Sequence, residues 1–98
     1  MAANPSLQTT YRQGAHQKVA FTGTAGTISN GFGTQTKTIR AIVTSAAYVK
    51  VGNSPTATAS DMYMAANVPE YFTVSPGQKA SAIQVSAGGD LHVTEMDQ

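Results

Sequence analysis

The chain has 98 residues, a formal net charge of +1 and only 11% charged side chains, against about 25% in an average soluble domain. Its basic residues, Arg12, Lys18, Lys37, Arg40, Lys50 and Lys79, are dispersed, so no stripe of cations is available to follow a phosphate backbone and direct nucleic-acid binding is not expected. Cysteine is absent, which removes disulfides and thiolate metal sites from consideration.

At this length one domain is expected, with a core built from few large side chains, because alanine supplies much of the apolar share. The expected core-formers are Phe21, Ile28, Phe32, Ile39, Ile42, Val43, Val49, Val51, Phe72, Val74, Ile83, Val85, Leu91 and Val93. So small a set favours added stability from oligomerisation or binding. No apolar run approaches the roughly 20 residues of a membrane span, and the first ten residues lack the layout of a signal peptide. A soluble chain without a membrane partner is expected. None of Asn4, Asn30, Asn53 and Asn67 opens a glycosylation sequon.

Residues 1–15 are polar, with a lone Leu7 and no period of 2 or 3.6, and are predicted to form a flexible arm that orders against a partner. Residues 16–98 are predicted to form one domain. Gln17, Val19 and Phe21 alternate with His16, Lys18 and Ala20, the pattern of a half-buried strand. Residues 22–33 are rich in Gly and Thr and predict a loop with at most a short strand near Ile28, with Phe32 either plugging the end of the core or exposed for a partner, the plug being favoured. The next strand is predicted over 34–44, with Ile39, Ala41 and Val43 on one face and Ile42 breaking the alternation. A strand apolar on both faces is central or touches a neighbouring chain.

Val49 and Val51 then point inward over 48–52, and the two segments predict a hairpin. Residues 53–60 lack bulky side chains and predict a surface loop. Met62 and Met64 share a face opposite Tyr63. The most regular stretch is 70–85, where Phe72 and Val74 alternate with Tyr71 and Thr73. Pro76-Gly77 then supplies a type II turn, and a second strand follows, so that a hairpin is expected. Gly88 and Gly89 predict the final turn, and residues 90–96 a last strand with Leu91 and Val93 inside. About seven short strands and no helical period predict an all-β fold, a small antiparallel β-sandwich of the jelly-roll or Ig-like kind with an extended N-terminal arm.

Nothing in the sequence assembles a catalytic site. His16 and His92 are the available bases for a triad, both fall on polar strand faces, and no Gly-x-Ser-x-Gly elbow is present. Catalysis would require the two histidines to converge on one pocket. Neither the histidines nor the carboxylates show metal-ligand spacing, and Gly31-Phe32-Gly33 lacks the rest of a phosphate loop. No catalytic residue, metal or cofactor is therefore expected. Tyr48, Tyr63 and Tyr71 leave one independent idea, a sugar-stacking platform.

Within residues 47–96 the succession Val49-Lys50-Val51-Gly52, a Ser-Pro-Thr-Ala-Thr loop over 54–58, Pro69-Glu70-Tyr71-Phe72, the Pro76-Gly77 turn and Gly89-Asp90-Leu91-His92-Val93-Thr94-Glu95 resembles small virion proteins of tailed bacteriophages, of the capsid cement or decoration type. These are turn and core residues, so the resemblance bears on fold and virion membership more than on any contact. It implies a non-enzymatic protein, made in the host cytoplasm, that binds the outside of the shell of major capsid protein and stabilises it as a homo-oligomer, dimer or trimer. Under that reading Asn4, Pro5, Leu7 and Tyr11 are the candidate capsid contacts. Met62, Tyr63 and Met64 are the candidate oligomer interface. A tail, neck or fibre-adaptor component and a carbohydrate-binding β-sandwich module remain as alternatives.

Overall fold

The β-branched and aromatic segments form eight strands, and no helix occurs, in a computed structural model that describes residues 12–97. In chain order the strands are β1 (Arg12–Phe21), β2 (Gly26–Thr27), β3 (Thr38–Val43), β4 (Ala47–Gly52), β5 (Met62–Met64), β6 (Glu70–Thr73), β7 (Lys79–Gln84) and β8 (Gly89–Asp97). They make two four-stranded antiparallel sheets packed together, ordered β1-β8-β3-β6 (sheet A) and β2-β7-β4-β5 (sheet B). The pairs β1/β8, β2/β7, β3/β6 and β4/β5 are each formed, and β8/β3 and β7/β4 join them laterally.

Alternation places the core between the sheets. Sheet A contributes the bulky side chains Phe21, Ile39, Val43, Leu91 and Val93, all at or below 1% exposure. Sheet B faces them with smaller ones, Ala47, Val49, Ala80 and Ala82, and with Met64. Large against small lets two short sheets interdigitate at interior density. Ile28 and Phe32, from the loop between β2 and β3, are buried as well, so of the two readings of Phe32 the core plug holds.

Two expected hairpins are not hairpins. Residues 34–44 and 48–52 give β3 and β4, but these belong to different sheets. Residues 70–85 likewise give β6 in sheet A and β7 in sheet B. Pro76-Gly77 is the predicted turn: Gly77 has φ of 82° and the Gln78 amide donates to the Ser75 carbonyl at 3.2 Å. It turns the chain across the sandwich. The Gly77 amide donates to the Phe32 carbonyl, and the Phe32 amide to that of Gln78, so the turn clamps the plug. Gly31 is required beside it, since a Cβ there would lie 2.7 Å from the Gly77 carbonyl oxygen.

Residues 12–15, expected in the arm, belong to β1, with Arg12 opposite Asp97 and Gln13 opposite Met96. A register shift between Gln13 and His16 breaks the alternation there, which is why no period of 2 marks these residues. Asn4, Pro5, Leu7 and Tyr11 lie outside the described residues. Of the expected core, Val85 is exposed at 40%, while Ile42 and Ile83 are half-buried on outer faces. The loop 53–60 is less superficial than its composition suggests, because Pro55 and Ala57 are buried.

Candidate functional site

The outer face of sheet A collects most of the chemistry-bearing side chains. Register sets them in rows. His16, Thr94, Arg40 and Tyr71 lie side by side across β1, β8, β3 and β6, and Lys18, His92 and Ile42 form the next row. The β1 bulge spends three residue steps, from Gln13 to His16, against two on β8, from Met96 to Thr94. That returns Gln13 to the outer face. Gln13, Arg40, Tyr71, Thr94 and Met96 line a depression of about 300 Å³.

The two histidines converge, although they are 76 residues apart in sequence. Their ring centroids are 5.5 Å apart with an interplanar angle of 29°. His16 Nδ1 lies 2.8 Å from Thr94 Oγ1, and His92 Nδ1 lies 3.4 Å from His16 Nε2. Both stand on the outer face of sheet A, as their strand positions predict, and antiparallel pairing of β1 with β8 puts them on adjacent strands one row apart.

A hydroxyl, an imidazole and a second imidazole in series have the outline of a nucleophile, its base and an orienting group. Among the described residues around Thr94 the backbone does not complete a hydrolytic site. Thr94 is 6% exposed and sits within β8, which is paired on one side to β1 and on the other to β3. Ladder bonding occupies the local amides, so no pair of donors is aimed at a developing oxyanion. Among the described residues no group of three or more His, Cys, Asp or Glu side chains is arranged to hold a metal ion.

Sheet B presents a different surface. Tyr63, Tyr48 and Ile83 follow one another across β5, β4 and β7, with the tyrosine rings edge to face at 6.1 Å. Tyr71, grouped with them as a sugar platform, is on the opposite sheet. Next to this row the loop 53–60 is latched down by Ser81, a fully buried residue on the outer side of β7. Its hydroxyl accepts from the Ala57 amide at 3.0 Å and from Thr27 Oγ1 at 3.1 Å.

Met62 and Tyr63, predicted at an oligomer interface, are 45% and 57% exposed on edge strand β5. Val68 and Tyr71, on the connection to β6 and on β6 itself, are also exposed. Met64 is 1% exposed and packs in the core, so its burial removes it from the candidate interface, while Met62 on the same face of β5 stays exposed at the sheet edge. No local pattern signals the Ser81 latch or the carboxylate of Glu95, which accepts from Thr36 Oγ1 and from the Gly33 amide. Both depend on long-range pairing. The chain matches no protein-family model, no curated protein and no solved structure, so its function has to be read from its own fold and surfaces.

Proposed function

We propose that this chain is a non-enzymatic structural protein of a tailed-bacteriophage virion, a capsid cement or decoration protein bound to the outside of the major capsid protein shell. The observation that carries the reading is the strand pairing: β1 with β8, β2 with β7, β3 with β6 and β4 with β5. Four nested pairs wound into two sheets are the layout of an eight-stranded jelly roll, an architecture recurrent in viral capsid domains. An Ig-like sandwich would instead hold more sequence neighbours in one sheet, whereas here β4 and β5 alone do so. Fold by itself does not fix function. The likeness of residues 47–96 to phage virion proteins and the sparse charge support the same reading.

A decoration protein works by adding interface to a finished shell. Standard interfaces bury about 1,200–2,000 Å², and repeated copies make modest contacts effective. The segment 1–11 is the proposed capsid-binding part, through Asn4, Pro5, Leu7 and Tyr11. Removing residues 2–11, rather than 2–15, spares the pairing of β1 with β8. Expanded capsids incubated with that variant are expected to retain less than a tenth of wild-type occupancy by quantitative gel, while its circular dichroism is unchanged. Full occupancy would overturn the role of this segment. Copy number in purified virions separates a shell protein, present in hundreds, from a tail or neck component, present in a handful.

Self-association is assigned to the exposed apolar side chains of β5. The double variant Met62→Asp, Tyr63→Asp places two charges on that edge and is expected to give a folded monomer by light scattering, where the wild type is a dimer or trimer. A monomeric wild type would remove this assignment.

A second reading rests on the Tyr48/Tyr63 pair, since jelly rolls also occur in lectins and aromatic faces stack on sugars. On a glycan array, specific signal that disappears in Tyr63→Ala would favour it over the capsid reading.

A further inference from the structure

Geometry on the outer face of sheet A points to a function that does not depend on the virion reading: we infer that His16 and His92 form a two-ligand site for a divalent transition-metal ion of the zinc, nickel or copper class. Two imidazole nitrogens bound at about 2.0–2.1 Å with a tetrahedral angle between them stand roughly 3.3–3.4 Å apart. His92 Nδ1 and His16 Nε2 are separated by 3.4 Å. Their spacing matches that of a chelating pair; without metal the contact is a hydrogen bond between the two rings, which the ion would replace as the rings turn both lone pairs toward it. Imidazole donors suit zinc, copper and nickel, whereas calcium and magnesium prefer oxygen.

A supporting contact orients one ligand. Thr94 Oγ1 lies 2.8 Å from His16 Nδ1. With the Nδ1 proton donated to that oxygen, the Nε2 lone pair of His16 faces His92. Metal-binding histidines commonly use their second nitrogen in this way, which fixes both tautomer and ring plane. Thr94 is held in place by its burial in β8, between β1 and β3. The scaffold is thus two paired strands rather than a loop, and a metal ion would tie the outermost strand of sheet A to its neighbour.

The ion's remaining positions face solvent and take water. Lys18, directly opposite His92 in the β1/β8 register, is exposed. Its ammonium disfavours a second cation nearby, although screening and the freedom of the side chain to swing away keep that effect small. Half the ligands of a structural zinc site, and about half of its binding free energy, put the dissociation constant at roughly 1–200 µM.

The test is calorimetric titration of the untagged protein with zinc chloride and with nickel chloride, alongside the histidine ring resonances. One ion per chain is expected, with His16→Ala and His92→Ala each weakening binding more than tenfold. Thr94→Val, which keeps the shape and loses the hydroxyl, is expected to weaken it about tenfold through ligand orientation. Lys18→Ala is expected to tighten it a few-fold, an effect that a merely structural role for this face would not produce. Millimolar zinc should raise the melting temperature of the wild type and leave both histidine variants unmoved. Wild-type affinity in either histidine variant, or no heat and no shift of the ring resonances at millimolar zinc, would overturn the assignment. Circular dichroism of each variant shows that it is folded before its affinity is compared.

Discussion

Phe21→Ala is expected to destabilise the domain by about 3–5 kcal/mol, the range for truncating a buried phenylalanine. Phe21 closes β1 at 1% exposure, opposite Gly89 of β8. The layer facing it is built on Ala47, Ala80 and Ala82, whose side chains are too short to follow a retreating surface. The cavity therefore stays open, and the cost belongs at the upper end of the range. A domain of this size has about 5–15 kcal/mol of net stability, so this single change removes a large fraction of it. Urea unfolding followed by circular dichroism measures the effect through the midpoint at unchanged slope. A loss below about 1 kcal/mol would mean that the alanine-rich layer collapses onto the gap after all.

That asymmetry between the layers also explains what the sequence concealed. Strand existence was readable wherever alternation was strong, as at Ile39, Ala41 and Val43, and at Leu91 and Val93, all of which are buried. Partners were not readable. Sequence-adjacent strands usually pair, a preference that predicts hairpins for 34–52 and 70–85. In this fold consecutive strands change sheets at every connection except β4 to β5. Local periodicity is the same whether a strand pairs with its successor or with one at the far end of the chain, so topology left no local trace.

The candidate site was hidden for the same reason. His16 and His92 were each legible as outward-facing, and a half-buried strand face is where both stand. Their contact arises from the pairing of the first strand with the last. Met64 misled because alternation specifies a face without saying which face is inside, and Met62 and Met64 share one while only the second reaches the core. Ser81 was invisible as a determinant. A serine within an alanine-rich strand carries no periodic signal, and its covering loop lies 24 residues away at Ala57.

Ser81→Leu is therefore the most informative disruption outside the core. The residue is fully buried, Ala57 and Pro55 lie buried nearby in the loop, and its hydroxyl is the acceptor for two donors. Leucine removes that acceptor and forces added volume beneath the loop. An orphaned buried amide costs about 1–3 kcal/mol and overpacking typically about 1–3 kcal/mol more. The sum, about 2–6 kcal/mol, should be relieved locally, by lifting residues 53–60 off β7 before the sheets separate. Limited proteolysis is expected to cut within that loop in the variant at protease levels that leave the wild type intact, and urea unfolding gives the total cost. Ser81→Ala divides the effect, because it orphans the Ala57 amide without adding volume, while Thr27 Oγ1 keeps its bond to the Pro55 carbonyl. Proteolysis of Ser81→Leu at the wild-type rate would mean that the loop is held by Pro55 and Ala57 packing rather than by the serine.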